Sequence, residues 1–238
     1  MTDPEIDKRL DEATYPVRDV NPEVLDRITV ALHSSSGPVR VLPEPGLLVS
    51  AVLLICAAVA LFGAARSRLF GFEAMGIAAR ISVLCVLAVL AWLSARELVN
   101  QWIPGSRRSL TPESLVAGVS GALLLVFGLL FSDYRVEHFV AAGVVCLSVG
   151  VIHAAVAAGL AAWFLRRGYA LNPVAAGAVA GALGGISGVA MLELHCPNLE
   201  AAHMLVWHVA VVPVSAVTGA LIGWVVRAWS DYVSRRLR

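Results

Sequence analysis

Six stretches of this chain, 46–65, 75–95, 114–132, 139–165, 173–192 and 204–226, are apolar over about the length a helix needs to cross lipid. A hydrocarbon core of about 30 Å asks for roughly 20 helical residues. In lipid each backbone N–H and C=O must find a partner within its own segment, so these runs are predicted to be helices. Composition agrees: 58% of the residues are apolar, 15% are charged and the mean hydropathy is +0.78. A soluble domain carries about 25% charged residues. The prediction is an all-α polytopic membrane protein, a six-transmembrane-helix bundle over 46–226, with an N-terminal arm, 1–45, and a basic tail, 227–238.

The second span is the weakest, because only 81–95 is uncharged and Arg80 and Arg96 must reach toward the two interfaces. An even number of spans puts both termini on one side. With that side cytoplasmic, the inner segments hold fourteen Lys and Arg residues and the outer ones only Arg66, Arg68, Arg80 and Arg135. This asymmetry predicts both termini in the cytoplasm. Trp92, Trp102, Trp163, Trp224 and Trp229 lie near span ends, where interfacial anchors belong. The first residues are polar, rich in Pro, Asp and Glu, and do not read as a cleavable signal peptide. A net charge of +1 gives no reason to expect direct contact with nucleic acid. The scattered Cys56, Cys85, Cys146 and Cys196 indicate neither a zinc finger nor a disulfide-stapled secreted fold.

Within the arm, Asn21-Pro22-Glu23 can cap and start a helix near 22–33. Val24, Leu25, Ile28 and Leu32 recur on one face of it. A helix of about three turns is marginal alone, so the stripe needs a partner: the membrane surface, the bundle or another protein. Ser34 to Pro45, rich in Ser, Gly and Pro, follows as a tether.

The fifth span carries Gly177, Gly181 and Gly185 at four-residue spacing, with Gly184 and Gly188 beside them. Such a row leaves a bare groove for close approach of a neighbouring helix, within the chain or across a homodimer. The fifth and sixth spans then form a hairpin whose polar turn holds Glu193, His195 and Cys196, with His203 and His208 following.

The run Arg166-Arg167-Gly168, Asn172-Pro173, Ala176-Gly177, Ala180-Gly181-Ala182, then Leu194-His195-Cys196-Pro197 and Trp207 resembles the C-terminal half of NrsF-like membrane anti-sigma factors. The resemblance covers about the last third by motif and the whole chain by layout. It implies six spans, a short cytoplasmic arm and a Cys-Pro turn between the last two spans. It also implies a cytoplasmic sigma factor of the extracytoplasmic-function class as partner, and a regulator rather than an enzyme. Two features depart from the family pattern: Trp207-His208 stands where Trp-Tyr is usual, and the turn is rich in Glu and His.

On this reading Val24, Leu25, Ile28 and Leu32 contact the sigma factor, with a helix lying on the lipid bilayer as the alternative. Cys196 receives the signal, with Cys146 as the plausible second thiol and His195 nearby; the neighbouring imidazoles are expected to favour the Cys196 thiolate. No cofactor is implied. Glu193, His195, Cys196, His203 and His208 do have the atoms of a transition-metal site, but His203 and His208 are five apart, about 140° around an α-helix. An interfacial cluster bonded to water and headgroups, or a pH-sensitive one, stays open. His153, near the middle of the fourth span, is expected to be neutral and bonded to Ser or Thr of a neighbouring helix; haem ligation with His208 is the remoter reading. Pro213 is expected to kink the sixth span. The alternative is a small membrane transporter, though no repeat-related polar spans are visible, or a metal-binding membrane protein using the outer turn at 193–208. An enzyme would show a nucleophile and base at workable spacing, and none appears.

Overall fold

The computed structural model describes residues 21–35, 43–103, 105–106, 109–136, 138–166 and 168–236. The acidic start of the arm, part of the tether, Arg107, Arg108, Arg167 and the side chain of Leu32 lie outside the described residues. The chain divides into two units, Met1–Val41 and Leu42–Arg238.

In the first unit, α1 (Pro22–Ser35) starts where the Asn21 side-chain oxygen accepts the Glu23 N–H at 3.0 Å. Val24, Leu25 and Ile28 are all about half exposed, at 45–51%.

The second unit holds α2 (Pro45–Ser67), a short α3 (Phe70–Ala74), α4 (Ile77–Trp102), α5 (Pro112–Leu130), α6 (Phe139–Leu165), α7 (Pro173–His195) and α8 (Ala201–Arg236). Six of these, all but α3, are long and apolar enough to cross a membrane, so this is a multi-pass membrane protein. Prolines open α2, α5 and α7 at a position that needs no N–H. Thr111 and Asn172 cap α5 and α7 by accepting from Ser114 N–H and Ala175 N–H, each at 3.2 Å. The second span runs on past residue 95 to Trp102, and the sixth past 226 to Arg236.

α7 is the axis of the bundle. In its most apolar stretch 78% of the residues are buried, against 17–33% for the other five spans, and every other span touches it. The glycines explain how one helix serves several neighbours. Gly177 and Gly181 lie against the backbone carbonyls of Gly219 and Ser215 on α8, and Gly185 against the Cα of Val212. A second row, Gly184 and Gly188, lies against the carbonyls of Ala154 and Gly150 on α6. On a third side the Ser187 hydroxyl donates to the Cys56 carbonyl of α2 at 2.8 Å. Between helices in lipid, contact of this kind replaces the hydrophobic drive. Large apolar side chains such as Leu54, Phe62, Leu125 and Ile152 point outward, as helices surrounded by acyl chains require.

His153 takes neither of its expected partners. Its Nδ1 lies 2.8 Å from the Val149 carbonyl of its own helix, and its Nε2 edge fills the space left by Gly63 on α2. The carbonyl one turn back on its own helix takes the place of the Ser or Thr. Pro213 sits inside α8, four residues beyond Val209, at which the α-helical part begins after an irregular turn.

Candidate functional site

The sixth span is not α-helical throughout. Between the turn Ala201–His203 and Val209, the segment Met204–His208 is a π-helix, in which the Val209 N–H donates to the Met204 carbonyl five residues back. Residues five apart therefore come onto one face. The expectation that His203 and His208 diverge is overturned for this reason: their rings meet edge to face with centroids 5.1 Å apart. π-Segments of this kind are often found at functional sites. Trp207, on the same segment, lays its indole into the space left by Gly143 on α6 and packs on Phe139 at 5.5 Å.

α7 ends at the same place. Cys196 is its cap residue, its N–H donating to the Leu192 carbonyl at 2.7 Å, and the preceding turn aims Glu193 inward. The Cys196 Sγ lies 3.5 Å from the Cys146 Sγ of α6 and 3.7 Å from the His203 Nε2. The His208 Nδ1 lies 2.7 Å from Glu193 Oε1, and both side chains are almost wholly buried, at 0% and 1% exposure. Ligand atoms of Cys146, Cys196, His203 and His208 all lie within 4.8 Å of one another. Among the described residues Glu193 Oε2 and His203 Nδ1 have no hydrogen-bond partner, and His208 Nε2 faces only the Cys196 thiol.

Cys196 is thus not an exposed turn residue but a buried one at 5% exposure. The adjoining Cys146 thiol and burial hold its thiol above the ordinary range, outweighing the two imidazoles that pull it down. At rest it is a protonated thiol, the reverse of the expectation from imidazole proximity alone. Of the other cysteines, Cys56 is buried in α2 and Cys85 is exposed on α4.

His195 stands apart from this cluster. It turns to the α2–α3 connection, where its Nδ1 meets the Arg68 carbonyl at 3.0 Å and its ring lies 6.3 Å from Phe70. Arg68 has φ 69°, a conformation that a non-glycine residue adopts at a cost of about 1–3 kcal/mol. That conformation delivers the carbonyl to His195. Three residues on, Gly71 lies against the backbone of Glu193 and Cys196, closely enough that a Cβ would sit 2.5 Å from the Cys196 oxygen. The α2–α3 segment therefore packs over the turn that carries Cys196, and His195 fastens it.

His195→Ala should release that cover without unfolding the bundle, since one hydrogen bond contributes about 0.5–1.5 kcal/mol. Faster maleimide labelling of Cys196 at an unchanged melting temperature is the expected result. An unchanged labelling rate would remove His195 from the cover.

The residue types in this site were visible in the sequence, but their geometry was not. Nothing in the spacing announced the π-turn, although Gly143, which admits Trp207, and the five-residue step between two histidines are its traces. The comparisons with curated proteins and with solved structures found no match. A family model described as negative regulator of sigma F matches residues 34–229. The match takes in all six spans and the whole cluster, and leaves Val24, Leu25, Ile28 and Leu32 ahead of it. By that match the chain belongs to the NrsF family, negative regulators of sigma F.

Proposed function

We propose that this protein is an anti-sigma factor of the bacterial inner membrane, with both termini cytoplasmic. On this reading it holds an extracytoplasmic-function sigma factor against the bilayer and releases it when the buried thiol centre on the outer side changes state. The observation that carries the reading is the family match across a chain of six membrane-crossing helices. A sigma factor bound to the membrane is kept from core polymerase by location and by occlusion of its surface.

The gripping element in this reading is α1, whose apolar stripe of Val24, Leu25 and Ile28 is about half exposed, with Leu32 continuing the same spacing in the sequence. The receiving element is the Cys146–Cys196 pair. Two thiols 3.5 Å apart on α6 and at the end of α7 need little movement to join, and a two-electron oxidant arriving from the envelope would join them as a disulfide, taking the two electrons while two protons leave, and so tie α6 to the α7–α8 turn. Because α7 touches every other span, a shift there reaches the far end of the bundle. Release requires the signal to discriminate between gripping and releasing states by several kcal/mol.

Pull-down from detergent-solubilised membranes tests the reading. The full chain should recover a sigma factor, and a Leu25→Asp, Ile28→Asp variant should lose it. Recovery undiminished in the variant would assign α1 to the lipid surface; recovery with neither protein would remove sigma binding altogether.

A further inference from the structure

We infer that Cys146, Cys196, His203 and His208 form a binding site for one divalent metal ion of the zinc class, with Glu193 as its outer-sphere carboxylate. The inference shares two sulfurs with the reading above but does not depend on it, since metal can bind whether or not a sigma factor does.

Geometry is the first argument. A tetrahedral Cys2His2 zinc site, with Zn–S near 2.3 Å and Zn–N near 2.05 Å, places sulfurs about 3.8 Å apart and sulfur about 3.6 Å from nitrogen. Here the sulfurs are 3.5 Å apart and Cys196 Sγ is 3.7 Å from His203 Nε2. All four ligand atoms fall within 4.8 Å, so rotamer adjustments of about 1 Å close the remaining edges. The ligands arrive from three directions: α6, the end of α7, and the π-segment of α8 with its preceding turn. A site assembled in this way is held by the packing of the bundle rather than by one flexible loop.

The second argument is the bonding around the ligands. A metal-bound histidine usually gives its other ring N–H to a carboxylate, which fixes its tautomer and raises its basicity. His208 does this toward Glu193 at 2.7 Å, leaving Nε2 as the ligand atom, wholly buried and within 4.8 Å of both thiols. His203 is wholly buried too, and presents its Nε2 to Cys196. Buried imidazole nitrogens without partners are costly unless something binds them.

The third argument selects the ion. Two thiolates and two neutral imidazoles suit a borderline-soft metal and disfavour Mg2+ and Ca2+, which take oxygen ligands. The two thiolates balance a divalent cation, leaving only the Glu193 charge, which the His208 N–H shares; a monovalent ion would leave two negative charges in the same low-dielectric site. Binding replaces the two thiol protons, and the Nε2 proton of His208 when that imidazole is charged against Glu193, with the metal, and these protons leave to solvent. Occupied, the site would hold both sulfurs as ligands and keep them from pairing with each other.

The test uses the full chain purified in detergent from cells grown with added zinc. Elemental analysis should find one zinc per chain. Exchange with Co2+ should produce the visible bands of tetrahedral cobalt and a near-ultraviolet sulfur-to-cobalt charge-transfer band. Cys146→Ser with Cys196→Ser should reduce metal to background, while Cys56→Ser with Cys85→Ser should retain it. Glu193→Gln should weaken binding about 10–100-fold, the effect of altering an outer-sphere partner. The cobalt spectrum is read on the unmutated protein, so a variant that fails to fold leaves the inference testable. Background metal in the unmutated protein, a cobalt spectrum without the sulfur band, or full occupancy in the double Cys146, Cys196 variant would overturn it.

Discussion

Gly181→Leu is expected to destabilise the bundle by about 3 kcal/mol or more, the upper end of what overpacking costs. The atom met by a new side chain at position 181 is the Ser215 carbonyl of α8, with the Ala216 Cα behind it. Backbone atoms cannot rotate aside as a side chain does, so α8 must move away as a whole. That movement would break the reciprocal contacts at Gly177 with Gly219 and at Gly223 with the Pro173 carbonyl. Gly118→Leu on α5 is the matched control, because nothing lies within 4 Å of its Cβ position, and it should stay within about 0.5 kcal/mol of the parent. Thermal unfolding in detergent, followed by loss of the monodisperse elution peak, measures both. Equal melting temperatures for the two variants would show that the α7–α8 seam does not carry the fold. The consequence reaches the thiol centre, since the same seam positions the π-segment opposite the end of α7.

Much of the architecture was legible because lipid imposes rules that a sequence must show. Span number and approximate limits follow from the length of uncharged runs, and the glycine row marked α7 as the helix others approach. The partner of that row was harder to see: Gly219 and Gly223 on α8 stand at the same four-residue spacing, but only the fold shows that they face Gly177 and the Pro173 carbonyl. The limits of α4 and α8 were underestimated because charged residues end an apolar run without ending a helix; α8 continues through Arg227 and Asp231 to Arg236. At the site, angular reasoning from 3.6 residues per turn separated His203 from His208, and one π-segment of five residues undid it. No propensity scale signals such a segment, because it is stabilised by tertiary contacts, here Trp207 against Gly143 and Phe139. Burial of Cys196 was equally hidden, since the Cys146 thiol beside it and the Gly71 packed on its turn lie fifty residues or more away in the chain.

His208→Leu should destabilise the metal-free protein by about 3–5 kcal/mol, the range for breaking a buried charged pair by removing one partner. Glu193 is 1% exposed and its Oε2 already lacks a partner, so loss of His208 leaves the carboxyl with no hydrogen bond through either oxygen. Glu193→Leu should cost less, because an unpartnered imidazole can remain neutral while a carboxylate must take up a proton or draw in water. Replacing both residues by Leu removes the unsatisfied groups together, and such replacements are often neutral or stabilising. The double variant should therefore be more stable than His208→Leu alone, with a coupling of roughly 0.5–3 kcal/mol across the cycle. Unfolding in mixed detergent micelles, with chelator present throughout, gives the four values. A pair kept for stability would make the double variant the worst of the four. A pair kept for chemistry predicts the opposite order: a double variant that folds well and binds no metal. That order would mean that a carboxylate and an imidazole are buried at this depth for what they hold, at some expense to the fold.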